Sequence, residues 1–175
     1  MHLFSRKLTD KFQKDHYMFL EEIEGGLKSD LEELITTRLS EMLDLVKFDW
    51  KEDCMIKAGV VFGMDGSGNH VRIQGQNLQD GIDMSSQIFG GICIIYVKDP
   101  NNETIYEEQS QGPESVTPWF LVNGQESEAK VEQLCNDFID DDIEYCKNLT
   151  FGYGDIIITA KCHFIPAFDG KTTRL

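Results

Sequence analysis

Two stretches of the chain end an apolar run in an aspartate followed at once by glycine: GVVFGMDGSGNH, residues 59–70, and CHFIPAFDGK, residues 162–171. The acids are Asp65 and Asp169. Asp-Gly after a strand-like run is one of the commonest turn signals, so each aspartate can be the first residue of a tight turn. Each can also be a metal ligand. Two aspartates at the ends of neighbouring strands would stand side by side. Their carboxylate oxygens suit a hard cation such as Mg²⁺ or Mn²⁺. A pair of such ions about 4 Å apart can activate water and stabilise the leaving oxygen in phosphodiester cleavage.

Fewer residues elsewhere have types and spacings that chemistry could use. Arg72, just past the first Asp-Gly, and Lys171, just past the second, are the candidates for holding a phosphate; a guanidinium can grip phosphate oxygens bidentately. His70 is the lesser candidate, and an exposed hairpin accounts more readily for both His70 and Arg72. Cys162 and His163 are adjacent, which sends them to opposite faces of a strand and speaks against one zinc ion holding both. The short GSG after Asp65 cannot cradle a phosphate, and no local Ser, His and acid arrangement exists. The final TTRL has the form that a C-terminal carboxylate-binding module accepts, or is a free tail.

The elements that would position the two aspartates follow from periodicity. Residues 5–24 can form a helix that ends at Gly25 and Gly26. SDLEELITTRLSEMLDLV follows, with Ser29 as N-cap and Glu32 three residues later. Leu31, Leu34, Ile35, Leu39, Met42, Leu43 and Val46 make one apolar stripe, read as a core face. CMIKAGVVFGM, from Cys54, reads as a strand, and HVRIQGQ after the DGSGN turn reads as its antiparallel neighbour. GGICIIYVKDPNNETIYEE gives a buried interior strand over Ile92–Val97, a turn at Asp99–Asn102 and a short strand near Thr104–Tyr106. QSQGPESVTPWFLVNG reads as an irregular connection. A second long helix spans about Glu126–Asn148, and its acidic run Asp137, Asp140, Asp141, Asp142 and Glu144 reads as a solvent face. A Gly-rich loop and a strand over Asp155–Phe164 close the order. Helices packed on a sheet are the expected α/β architecture.

Composition narrows the classes. At 175 residues the chain suits one domain with a real core, and 41% apolar residues exclude a disordered composition. No apolar run is long enough for a spanning helix, and charges interrupt the N-terminus throughout, so neither a membrane span nor a signal peptide is expected. Five cysteines without a CxxC pair read as buried or free thiols of a reducing compartment. The expected location is nuclear or intracellular rather than secreted. With 31 acidic and 16 basic residues the net charge is -15, which as a whole repels a polyanion. A nucleic-acid role therefore needs a local patch, a metal or a partner.

Taken in order, FGMDGSGNH, DMSSQIFGGICIIYVKD, PWFLVNGQESEAKVEQL and CHFIPAFDGKTTRL resemble the catalytic core of the Transib family of DNA transposases, which includes the catalytic subunit of the antigen-receptor recombinase. The resemblance runs from about Leu31 to Leu175. It implies an RNase H-like mixed sheet flanked by helices, with 1–50 a helical segment packed on the core and 51–175 a partial catalytic core. Asp65 matches the family's first metal-binding carboxylate and Asp169 the second, with Mg²⁺ or Mn²⁺ as cofactor. Such enzymes are DNA endonucleases and strand transferases that use three carboxylates. No Asp or Glu follows Asp169, and the family's cysteine and histidine zinc insertion and basic DNA-binding domains lie outside this sequence. The resemblance therefore implies a core truncated at its C-terminus and of weak or no activity alone. It would act on DNA once those regions are supplied, with a protein partner or a second copy of the chain. The alternative is a catalytically inactive, acidic protein-protein interaction domain.

Overall fold

The sheet is built where β-branched and aromatic residues concentrate, and the helices where apolar residues recur at three- and four-residue steps. A computed structural model describes residues 20–46, 48, 50–67, 87–109, 115–124 and 126–167. Strands β1 (Leu20–Ile23) and β2 (Gly26–Ser29) are followed by helix α1 (Leu31–Leu45) and then by β3 (Cys54–Ser67), β4 (Gln87–Lys98), β5 (Thr104–Glu107) and β6 (Thr117–Asn123). Helix α2 (Glu128–Leu134), a π-helical turn (Cys135–Ile139) and α3 (Asp140–Cys146) run on without a break. Strands β7 (Asn148–Tyr153) and β8 (Ile156–Pro166) follow.

All eight strands form one sheet in the order β1-β2-β6-β4-β3-β8-β7, with β5 paired to β4. Every pairing is antiparallel except that of β3 with β8, which is parallel. The chain is thus a mixed α/β fold on a mostly antiparallel sheet. The crossover between β6 and β8 runs through the long helix. Strands β3, β6 and β8 share one direction, so their C-terminal ends lie on the same side of the sheet.

One face of the sheet is covered. Ile56, Ala58 and Val60 of β3, Ile88, Ile92 and Ile94 of β4, and Ile158, Ala160 and Cys162 of β8 are buried in one core with Leu31, Leu34, Ile35, Leu39 and Leu43 of α1. The stripe expected on α1 is therefore the core face. Phe138 wedges edge-on against Trp119 and Phe120, with ring centroids 6.0 and 5.2 Å away. That wedge falls in the π turn, where the Asp140 N–H reaches back to the Cys135 carbonyl. Lys28 sits over the Phe138 ring at 5.2 Å and pairs with Asp142 at 3.0 Å, tying β2 to α3. So the acidic run is a solvent face at Asp137, Asp140, Asp141 and Glu144, but Asp142 is half-buried.

Several expectations are corrected. Residues 20–23 are not the end of a helix: they pair with β2 in a hairpin closed by Gly25 at φ 78, and residues 5–19 lie outside the described part. The described part of the 1–50 segment thus adds two strands to the sheet as well as a helix. Asp30, not Ser29, caps α1, accepting from the Glu33 N–H at 3.1 Å, because Ser29 is already the last residue of β2. TPWFLVN is a buried strand rather than an irregular connection. Its Pro118 is tolerated by an irregularity in the β4–β6 register at Gly90/Gly91. Most of the Gly-rich stretch before the last strand is β7, joined to β8 by a tight turn with Gly154 at φ 58. The turn at Asp99–Asn102 and strand β5 stand as expected, with Asn102 at φ 69 and the buried Asp99 carboxylate accepting from the Glu103 N–H at 2.8 Å. In β4 burial over Ile92–Val97 is partial, since Cys93, Ile95 and Tyr96 are half-buried.

Candidate functional site

Asp65 does not open a turn. Strand β3 continues through it to Ser67, with Asp65 paired to Phe89, Gly66 to Ile88 and Ser67 to Gln87 of β4. The segment HVRIQGQ, expected as the partner of β3, lies outside the described residues, and β4 is the antiparallel partner observed. Alternation along β3 sets the direction of Asp65. Ile56, Ala58 and Val60 face the helices, so Lys57, Gly59, Val61, Gly63 and Asp65 face the other way. The Asp65 side chain is exposed, at the end of the sheet where β3, β6 and β8 finish.

A second carboxylate reaches the same end, one that the sequence reading treated only as the start of a helix. After β6 the chain passes Gly124, at φ 139, and Glu126 before Ser127 caps α2 by accepting from the Lys130 N–H at 3.2 Å. Glu126 therefore precedes the helix, and its Oε2 accepts a hydrogen bond from the Gly66 N–H at 3.0 Å. Contact is close enough that only glycine fits at 66: a Cβ there would stand 2.5 Å from the Glu126 Cβ. The residue next to Asp65 is thus clamped to the start of the crossover helix. A signal was present in the sequence, an acid placed just ahead of an Ser127 N-cap, but its target in β3 is a tertiary contact.

Asp169, Arg72, Lys171 and His70 lie outside the described residues, as does TTRL. Among the described residues no group of three or more His, Cys, Asp or Glu side chains is placed to hold a metal ion. Asp65 and Glu126 offer oxygen donors of the type that Mg²⁺ and Mn²⁺ take. The other reactive groups are poorly set for chemistry. Cys162 is buried and His163 exposed, on opposite faces as expected. Burial pushes the Cys162 and Cys146 thiols up to about 12, and all five cysteines are free. Burial, with a hydrogen bond to Glu108, holds the Tyr106 phenol up at about 12.

The exposed face has one further feature near the site. Asp65, Phe89, Leu121 and Leu27 are successive register partners across β3, β4, β6 and β2. A shallow cavity of about 250 Å³ opens at the far end of this row, lined by Glu22, Ile23, Gly26, Leu27, Leu121 and Asn123. No described helix is long and apolar enough to cross a membrane. Comparison with protein-family models and with curated proteins finds no match for the chain.

Proposed function

We propose that this chain is the core of a divalent-metal-dependent enzyme acting on DNA strands, of RNase H-like architecture, with Asp65 and Asp169 as its metal-binding carboxylates. The observation that carries this reading is the parallel register of β3 and β8. Each β3 residue from Cys54 to Phe62 pairs with the residue a fixed interval later, ending with Phe62 opposite Pro166. The Ala167 N–H donates to the Phe62 carbonyl at 2.8 Å, a bond of that last pair. Asp65 and Asp169 are separated in sequence by that same interval; the described pairing ends at Pro166, and in this reading the chain beyond it would bring Asp169 beside Asp65. Support also comes from the strand senses: a central β3 between an antiparallel β4 and a parallel β8, reached through a helix.

In this reading Asp65 and Asp169 would hold Mg²⁺ or Mn²⁺, and Glu126, against Gly66 on the helix side of β3, would brace the strand end rather than join the site. The ion supplies Lewis-acid stabilisation of phosphodiester oxygens when bound. The chain's own part is positional: pairing with β4 fixes the β3 backbone on one side of Asp65, and the Glu126 carboxylate holds the Gly66 N–H beside it. The rival reading, an acidic interaction domain, draws on the exposed acids Asp137, Asp140, Asp141 and Glu144 along α2–α3. Thermal unfolding with and without metal separates the two. A ligand at a hundred times its Kd stabilises the native state by about 2.7 kcal/mol. The metal reading expects a saturable Mn²⁺-dependent rise in Tm that Asp65→Asn and Asp169→Asn each abolish. An Mn²⁺ response unchanged by both substitutions would sink it.

A further inference from the structure

Lysines rarely stand directly opposite one another in a sheet, because like charges on neighbouring strands repel. Here three do. Lys57 of β3 is the register partner of Lys98 on β4 and of Lys161 on β8, which makes one row, Lys98-Lys57-Lys161, across three adjacent strands. The row lies on the face away from the helices, where Lys57, Lys161 and the neighbouring His163 are exposed. The chain has 31 acidic residues against 16 basic ones, so carboxylates to pair with are abundant. Yet among the described residues the row forms no ion pair, whereas Lys28, Arg38 and Lys147 each hold an acid. Lys57 Nζ donates to the Asn102 amide oxygen at 3.0 Å, and Lys98 Nζ lies 5.5 Å from the Tyr96 ring centroid. Nearby acids are Glu107, opposite Tyr96 on the next strand out, and Glu103, beside Thr104, the partner of Lys98. Tyr96 in turn pairs with Gly59, and any side chain at Gly59 would overlap the Tyr96 ring, which lies across β3 beside the lysines.

Asp65 lies on this same face of the same strand, about eight residues from Lys57 and so roughly 26 Å away at the strand rise. We propose that the Lys98-Lys57-Lys161 row is a contact for the phosphate backbone of a nucleic-acid duplex. The choice of a nucleic acid among polyanions rests on the function proposed above. The cation row itself does not depend on metal. Net charge limits the affinity, so the number of ions released, read as salt dependence, is the informative quantity.

The test is binding of a short labelled duplex in EDTA, followed across a salt series by fluorescence anisotropy. Each phosphate contact contributes about 0.9 to the slope of log affinity against log salt. The proposal expects the combined Lys57→Gln, Lys98→Gln and Lys161→Gln variant to lose about 2–3 from that slope and to weaken binding at least about tenfold at low salt. The corresponding triple Lys→Arg variant should retain the slope, and Lys130→Gln, on the helix side, should leave it unchanged. An unaltered slope in the triple Gln variant, no duplex binding by the parent chain, or preference for polyglutamate over the duplex would each overturn it. The triple Lys→Gln variant should keep the Mn²⁺-dependent rise in Tm, so failure of the metal site and failure of the lysine row are read separately.

Discussion

Replacing Gly66 with alanine puts a methyl group against the residue that clamps the β3 end. Its Cβ would stand 2.5 Å from the Glu126 Cβ and 2.6 Å from Oε2. Carbon atoms pack at about 3.5–4.0 Å, so roughly 1 Å of movement is required, and a Cβ cannot swing aside as a side-chain tip can. Gly66 is not in the left-handed region, so alanine meets no backbone penalty there. Overpacking of this kind costs about 1–3 kcal/mol, with the Gly66 N–H bond to the carboxylate at risk as well. Urea denaturation measures the loss, and Gly152→Ala is the reference, since nothing lies within 4 Å of a Cβ at that exposed position. Gly152→Ala should be neutral or stabilising by up to about 1 kcal/mol. Adding Glu126→Ala to Gly66→Ala should not restore stability, because the clashing Cβ remains, whereas Glu126→Gly should restore most of it. Full stability of Gly66→Ala, or equal rescue by Ala and Gly at 126, would refute the contact.

Other consequences follow from the packing. Leu39→Ala, at a fully buried position of α1, should cost about 2–5 kcal/mol in urea denaturation. Burial raises the Asp142 carboxyl above its ordinary value although Lys28 opposes this. Its contribution to stability is therefore full below the unfolded value near 4 and lost as pH rises through the higher folded value. Asp142→Asn should accordingly gain stability relative to the parent between pH 4 and pH 7, and a Tm difference constant across that range would contradict the shift. Lys28→Met combined with Asp142→Leu should lie closer to the parent in stability than Lys28→Met alone, because a lone half-buried charge is the costly state. Cys146 and Cys162, with thiols near 12, should resist alkylation at pH 8 in the native state and react once the chain is unfolded in urea.

Helix α1 was legible because its apolar stripe has a single period, and α2–α3 for the same reason despite the π turn. What sequence could not assign were elements decided by partners. LEEI has helix-forming residues, yet pairing with β2 and thence β6 makes it a strand, with the Asn123 N–H bonding the Gly25 carbonyl at 2.8 Å to hold the hairpin in place. Pro118 argued against a strand in TPWFLVN, and only the irregular register opposite Gly91 makes one there. DGS after Met64 reads locally as a turn. Three cross-strand pairs with β4, reinforced by Glu126, keep it extended. Asp65 and its place on an apolar run could be read from sequence. Its direction, its neighbour Glu126 and the lysine row opposite needed the register.

Asp65 and Asp169 are proposed to share one metal site. An Mn²⁺ titration of the isotope-labelled chain, followed by amide line broadening, tests it most directly. A shared site gives saturable broadening centred on Asp65, Gly66 and Asp169, lost in Asp65→Asn. Broadening that is absent at millimolar Mn²⁺, or centred instead on the acids of α2–α3, would contradict it.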